Sequence, residues 1–138
     1  MKSIPAILAA LVLGACATGL NSVQEAELLD YEHRGLKVEE KSETAAAWLG
    51  LLPGGGSFYT GHVGFGIGNL LLWPLSIFWD PVSGHDAAEA INYAATRAHL
   101  RRLRNEAIDE LNRKIERGEI PSEEAWRLRE EIEREYDV

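Results

Sequence analysis

The chain of 138 residues has one cysteine, and no lysine, arginine, aspartate or glutamate from residue 44 to residue 79. Its apolar runs are short for crossing a bilayer, the longest being marginal. Each shortage excludes something. A single cysteine cannot form an intramolecular disulfide framework or a cysteine-based zinc site. A formal charge of −8 without a dominant basic face argues against nucleic-acid binding, which needs clustered Lys and Arg to neutralise phosphates. At this length the chain holds one domain at most. The overall 46% hydrophobic and 26% charged content averages two unlike regions, a charge-free block of 36 residues and the charged stretches around it.

What is present begins with an address. Met1-Lys2-Ser3 is a short positive start, and residues 4–12 are apolar but about half the length a roughly 30 Å hydrocarbon core demands. Leu13-Gly14-Ala15-Cys16 closes the run. This pattern resembles the lipobox of bacterial lipoproteins. The resemblance implies cleavage after residue 15, lipid on the Cys16 sulfur and acylation of the new N-terminus. The other reading is an ordinary secretory signal in which Cys16 is incidental. Two or three acyl chains hold a protein stably at a membrane, because each buried CH₂ contributes about 0.8 kcal/mol. Ala17 stands where an aspartate would resemble an inner-membrane retention signal, so the expected place is the outer membrane, periplasmic face.

Residues 16–44 then read as anchor and amphipathic stalk. Ser22-Val23-Gln24-Glu25 has the spacing of a capping box, and Val23, Ala26 and Leu29, with Leu28 beside them, form the expected apolar face up to a stop at Gly35. From residue 25 to 43 there are seven acids and three bases. Such a helix either docks a partner or packs on its own protein, and the second is the expectation.

Residues 45–82 form the apolar block. A short helix over residues 45–52 should stop at Pro53-Gly54-Gly55-Gly56, with a turn over residues 57–62 and a second apolar stretch over residues 63–79. At 1.5 Å per residue these pieces give ~12 Å and ~26 Å, so the first cannot span and the second is marginal. A lipid-anchored chain that enters and leaves on one side leads to a re-entrant or interfacial helical hairpin. The rival is a core packed under the flanking helices. Eight of the 13 glycines lie here, and Gly61, Gly64 and Gly68 have the spacing of one helical face on which another helix packs closely. Trp48, Phe58, Tyr59, Trp73 and Trp79 suit a membrane interface. The glycine runs complete neither a dinucleotide fingerprint nor a phosphate loop.

Leu49-Gly50-Leu51-Leu52-Pro53-Gly54-Gly55-Gly56-Ser57-Phe58-Tyr59-Thr60-Gly61, then Gly64, Gly68-Asn69-Leu70-Leu71-Leu72 and Ile77-Phe78-Trp79-Asp80, resemble the TM-two domain, a two-helix membrane module. Ser57 stands where that family usually carries a basic residue. The resemblance implies no catalytic residue. Several bacterial envelope lipoproteins look similar over the same block.

His62, Asp80, His85 and Asp86 flank the block and are the alternative reading, a small-ligand or metal-binding neighbourhood. Turn and cap duties are simpler: Asp80-Pro81 and Gly84 as a turn, Asp86-Ala87-Ala88-Glu89 as a helix start. No nucleophile–base pattern or paired-carboxylate signature is present, so no catalytic residue, metal or cofactor is assigned beyond the lipid on Cys16.

Residues 83–138 read as a charged helical region, a long helix ended by Gly118 and a second helix with Ser122 as N-cap and a stripe of Ala125, Leu128, Ile132 and Tyr136. Leu111, Ile115, Gly118, Ile120, Glu123 and Glu124 resemble the SHOCT hairpin, a short C-terminal helical module linked to oligomerisation. Arg97, Arg101, Arg102 and Arg104 form a basic cluster that either meets anionic headgroups or is a solvated face. The expectation is a mostly α-helical, membrane-anchored envelope lipoprotein, a non-enzymatic scaffold or assembly component. Its partners are membrane lipid and either a second copy or another envelope protein.

Overall fold

The computed structural model describes residues 19–137 apart from Pro74, and its regular structure is helical with no strand among the described residues. Residues 1–15, expected to be a signal segment, and Cys16 lie outside the described residues. Helix α1 is Ser22–His33. Its cap is Asn21, one residue ahead of the expected Ser22. Asn21 Oδ1 accepts from the Val23 and Gln24 amides at 3.0 and 3.1 Å, and Gln24 Oε1 accepts from the Asn21 amide at 3.0 Å. An amide cap with a glutamine three residues on satisfies the same orphan N–H groups as the Ser–Glu pair read from the sequence. Gly35, at φ +70°, ends the helix as expected, with the Gly35 and Leu36 amides donating back to the Glu32 and Tyr31 carbonyls.

The buried face of α1 differs from the expected one. Val23 and Leu29 are exposed, while Leu28 and Tyr31 are buried against Tyr93 and Leu100, with Leu20, Leu36 and Tyr136 around them. The large ring of Tyr31 outweighs the smaller Val23–Ala26 stripe in setting the rotation of the helix.

Residues 34–42 then descend along a long helix, α5, spanning Asp80–Glu116. Asn92 of α5 is fully buried and spends all four of its side-chain hydrogen bonds on this return. Its Oδ1 accepts from the Glu40 and Lys41 amides at 2.9 Å each, and its Nδ2 donates to the Lys41 carbonyl and Glu43 Oε1 at 2.8 and 3.0 Å. Thr96 Oγ1 accepts from the Val38 amide at 2.9 Å. An extended segment without a sheet partner thus has its backbone donors satisfied by side chains.

Helix α2, Glu43–Leu49, is capped by Ser42 Oγ and runs back along the start of α5, Ala46 against Gly84 and Gly50 against Pro81. A Cβ on Gly50 would lie 2.5 Å from the Pro81 backbone, so only glycine permits this approach. Helix α3 is Gly55–Tyr59 and α4 is Val63–Leu71, followed by a 3-10 turn at Leu75–Phe78. The expected apolar helix over residues 63–79 is therefore broken after nine residues, about 14 Å. Among the described residues no helix is long and apolar enough to cross a membrane.

Helix α5 begins at Asp80 and corrects two expectations. Pro81 occupies its first turn, where a missing N–H costs nothing. Gly84 and Asp86 are inside the helix, not in a turn and a cap, because the Ala46 carbonyl and Gly56 Cα approach within 2.9 and 3.1 Å of where a Gly84 Cβ would stand. One helix of 37 residues, about 55 Å, thus runs through the 82/83 boundary drawn from the sequence. Gly118, at φ +71°, ends it as expected. Helix α6, Ser122–Glu135, is preceded by Pro121 in the cap position, so Ser122 is its first helical residue rather than its cap. Helix α6 runs back along α5, Arg129 donating to Asn112 Oδ1 at 3.0 Å. Its end reaches α1, where Tyr31 Oη donates to the Asp137 carbonyl at 3.2 Å and Arg34 donates to that of Glu135.

Candidate membrane-binding site

Within residues 48–82 the usual distribution of side chains is reversed. Among the described residues 18 large apolar side chains are exposed; 15 of them fall in this stretch, with Leu71 at 78% and Phe78 at 80% exposure, and Val23, Leu29 and Trp126 lie elsewhere. The interior of the same stretch is polar. Ser57, Thr60, Asn69, Ser76 and Asp80 are buried, Asp80 completely.

Ser57, Asn69 and Asp80 pair with one another through Asp80 Oδ1, whereas Ser76 Oγ and Asp80 Oδ2 are buried with no partner among the described residues. Asp80 Oδ1 accepts from Ser57 Oγ at 2.6 Å and from Asn69 Nδ2 at 2.5 Å. Asn69 Nδ2 also lies 3.1 Å from Ser57 Oγ, and Asn69 Oδ1 accepts from Trp79 Nε1 at 3.0 Å. Thr60 Oγ1 turns back onto the Gly56 and Ser57 carbonyls. Asp80 is also the first residue of α5, where the aligned peptide dipoles favour a negative charge. The network therefore joins α3, α4 and the base of α5 through hydrogen bonds, leaving the apolar side chains to face outward.

The residues singled out for the interface divide. Trp48, Trp73, Trp79 and Phe58 are exposed, at 42–69%, and Trp79 keeps its indole N–H inside on Asn69. With Phe78 these five aromatics present on the order of 500 Å², taking about 200 Å² for a whole side chain. That equals the largest apolar patch of an ordinary monomer before any aliphatic residue is added. Tyr59 behaves differently. Its Oη accepts from the Ser42 amide at 3.1 Å and its ring carries Lys41 Nζ at 5.0 Å, so it ties α3 to the return segment.

The glycines divide too. Gly61, at φ +84°, precedes α4 and does not share its face, and a Cβ at Gly61, Gly64 or Gly68 would meet nothing within 4 Å. The closely packed glycines are others. Phe58 lies over Gly66, where an added Cβ would stand 2.6 Å from the ring. Within the chain, small residues are thus needed at Gly50, Gly56, Gly66 and Gly84 rather than along the Gly61–Gly64–Gly68 spacing.

The four titratable residues flanking the block are not gathered at one point. Asp80 is inside with Ser57 and Asn69, His62 Nδ1 pairs with Thr60 Oγ1 at 3.1 Å, and His85 and Asp86 face each other at 3.7 Å on an exposed surface. No group of three His, Cys, Asp or Glu side chains among the described residues is placed to hold a metal ion. Above the block the charges pair. Lys37 lies 3.0 Å from Glu32 and 3.2 Å from Glu43. Partial burial works against the Glu43 carboxylate, but hydrogen bonds from Asn92 and Lys37 outweigh it and hold the group below its ordinary value. Glu89 is raised, by burial and then by the Glu43 charge.

Sequence reasoning missed Ser57, Asn69 and Ser76 as interior groups. One signal was there: Asn69 is the only amide side chain in the charge-free block. The first described residue, Gly19, abuts Asp86: a Cβ on it would lie 3.2 Å from Asp86 Cβ. Asp86 is six residues, about 9 Å, up α5 from Asp80. No family model matches the chain, and no curated protein or solved structure is found to be similar to it.

Proposed function

We propose that this chain is a lipid-anchored envelope protein of the outer membrane, periplasmic face, whose apolar base enters one leaflet and whose α5–α6 hairpin projects from it as a non-enzymatic scaffold for assembly. The observation that carries the reading is the reversed base, apolar outside and polar inside. Water favours the opposite arrangement at about 25 cal/mol per Å² of apolar surface, whereas hydrocarbon favours polar groups turned inward and paired within the protein, as Ser57, Asn69 and Asp80 Oδ1 are. A short broken hairpin fits monotopic insertion rather than a crossing. The place of Gly19 supports the same reading. Cys16 is three residues away in sequence, and at most about 11 Å of chain separates the two, a span compatible with an acyl anchor at the level of the base.

The test separates the two attachments. A Cys16→Ala chain carried by a cleavable secretory signal should remain with the membrane through the base alone and resist salt extraction. Recovery of that variant in the aqueous periplasmic fraction, monomeric and folded, would overturn insertion.

A further inference from the structure

Higher on the molecule, between the start of α1 and the middle of α5, lies an open groove of about 480 Å³. Its lining is mixed: Leu20, Ala90, Ala94 and the Tyr93 ring supply an apolar part, and Gln24, Arg97 and Arg101 a polar and charged one. These arginines belong to a set of four that stands apart in an acidic chain. Among the described residues, of Arg97, Arg101, Arg102 and Arg104 only Arg102 has a carboxylate within 4 Å, Glu106 at 3.9 Å. Arg97 is held in place rather than neutralised directly: it donates to Tyr93 Oη at 3.1 Å, and that phenol in turn donates to Glu27 at 2.5 Å. Its Nε is buried and has no acceptor among the described residues. Arg101 turns its Nε onto the Arg97 carbonyl at 3.3 Å and is otherwise exposed.

We propose that this groove binds a small ligand bearing an oxyanion, carboxylate or phosphate, on an apolar body. The positioned Arg97 Nε and the terminal nitrogens of Arg101 take the anion as charge-assisted hydrogen bonds, and Leu20, Ala90, Ala94 and the Tyr93 ring take the body. Distance selects the source of the anion. Arg97 is 17 residues from Asp80, about 25 Å along α5. The headgroup layer beyond a roughly 30 Å hydrocarbon core is only about 5–8 Å deep on each side. A phosphate of the bilayer holding the base therefore does not reach the groove, and the ligand comes from the aqueous side. The groove does not depend on insertion of the base.

The full lipidated chain in phosphatidylcholine nanodiscs is titrated with benzoate, phenyl phosphate and acetate while backbone amide and Arg Nε–H resonances are recorded. The two aromatic anions should shift Leu20, Ala90, Ala94 and the Arg97 Nε–H saturably, acetate far more weakly. Arg101→Gln, an exposed change, should weaken binding about tenfold with the remaining spectrum intact. Arg97→Lys, which keeps the charge and loses the Nε donor, should weaken it as well. Shifts that never saturate, or that survive Arg101→Gln unchanged, would overturn the site. The same shifts produced by phosphatidylglycerol nanodiscs without added anion would overturn the aqueous source.

Discussion

Asn69, in the last turn of α4, donates to the buried Asp80 carboxylate at 2.5 Å and so fastens an apolar helix to the first residue of the 37-residue helix α5. Truncating Asn69 to Ala leaves Asp80 with one donor fewer in an interior closed to water. A loss of about 1–3 kcal/mol is expected, the usual consequence of orphaning a buried polar group. Urea unfolding in mild detergent measures it. Replacing both Asn69 and Asp80 by Leu should be milder than the sum of the single changes, because no unpaired charge remains.

Phe78 is the most exposed of the large apolar side chains. Surface substitutions of this kind ordinarily change stability by no more than about 0.5 kcal/mol. Phe78→Asp and Leu71→Asp should therefore leave the fold intact and lower vesicle partitioning of the Cys16→Ala chain by more than about tenfold. Circular dichroism reads the first quantity and co-sedimentation with liposomes the second.

Brominated acyl chains should quench Trp48 and Trp73 but not Trp126, which is exposed on α6 far from the base. Single-tryptophan variants separate the three signals. Equal quenching of Trp126 would mean that α6 also lies on the bilayer.

Asn92→Ala removes four hydrogen bonds at once from the return segment and α2. The expected loss is about 3 kcal/mol. Hydrogen exchange should show where it falls: the Glu40 and Lys41 amides lose protection, while those of α6 keep theirs.

Acid should weaken the link between α2 and the return segment in a defined direction. Glu43 is held below its ordinary 4.5, so its contribution is present above that value and disappears as pH falls through the lowered one. Glu89 is shifted upward and acts oppositely, favouring the folded state as it takes up a proton. Glu43→Gln should flatten the fall in stability below about pH 5, and Glu89→Gln should steepen it. Denaturation midpoints between pH 3 and pH 6 check both slopes.

Helices and their stops were largely legible, because Gly35 and Gly118 end theirs as glycine after a periodic run does. Starts were less so. Asn21 and Ser22 are both good caps, and Asp80-Pro81 is as good a helix opening as a turn, so only packing selects between them. The break in the second apolar stretch was marked by Pro74, but the inward turn of Ser57, Asn69 and Ser76 was not. Binary patterning assumes water outside, and these residues follow the opposite rule. The groove at Arg97 needs residues 20 and 97 side by side, a proximity that no local periodicity encodes.

Helix α5 carries a mechanical consequence. Its first residue is locked into the base and its far end holds the turn to α6, with no break across its 37 residues. A tilt of the base by about 10° moves the distant tip by about 10 Å over a 55 Å lever. With the base in a leaflet, as proposed, a change in leaflet thickness or curvature would be converted into displacement of the tip.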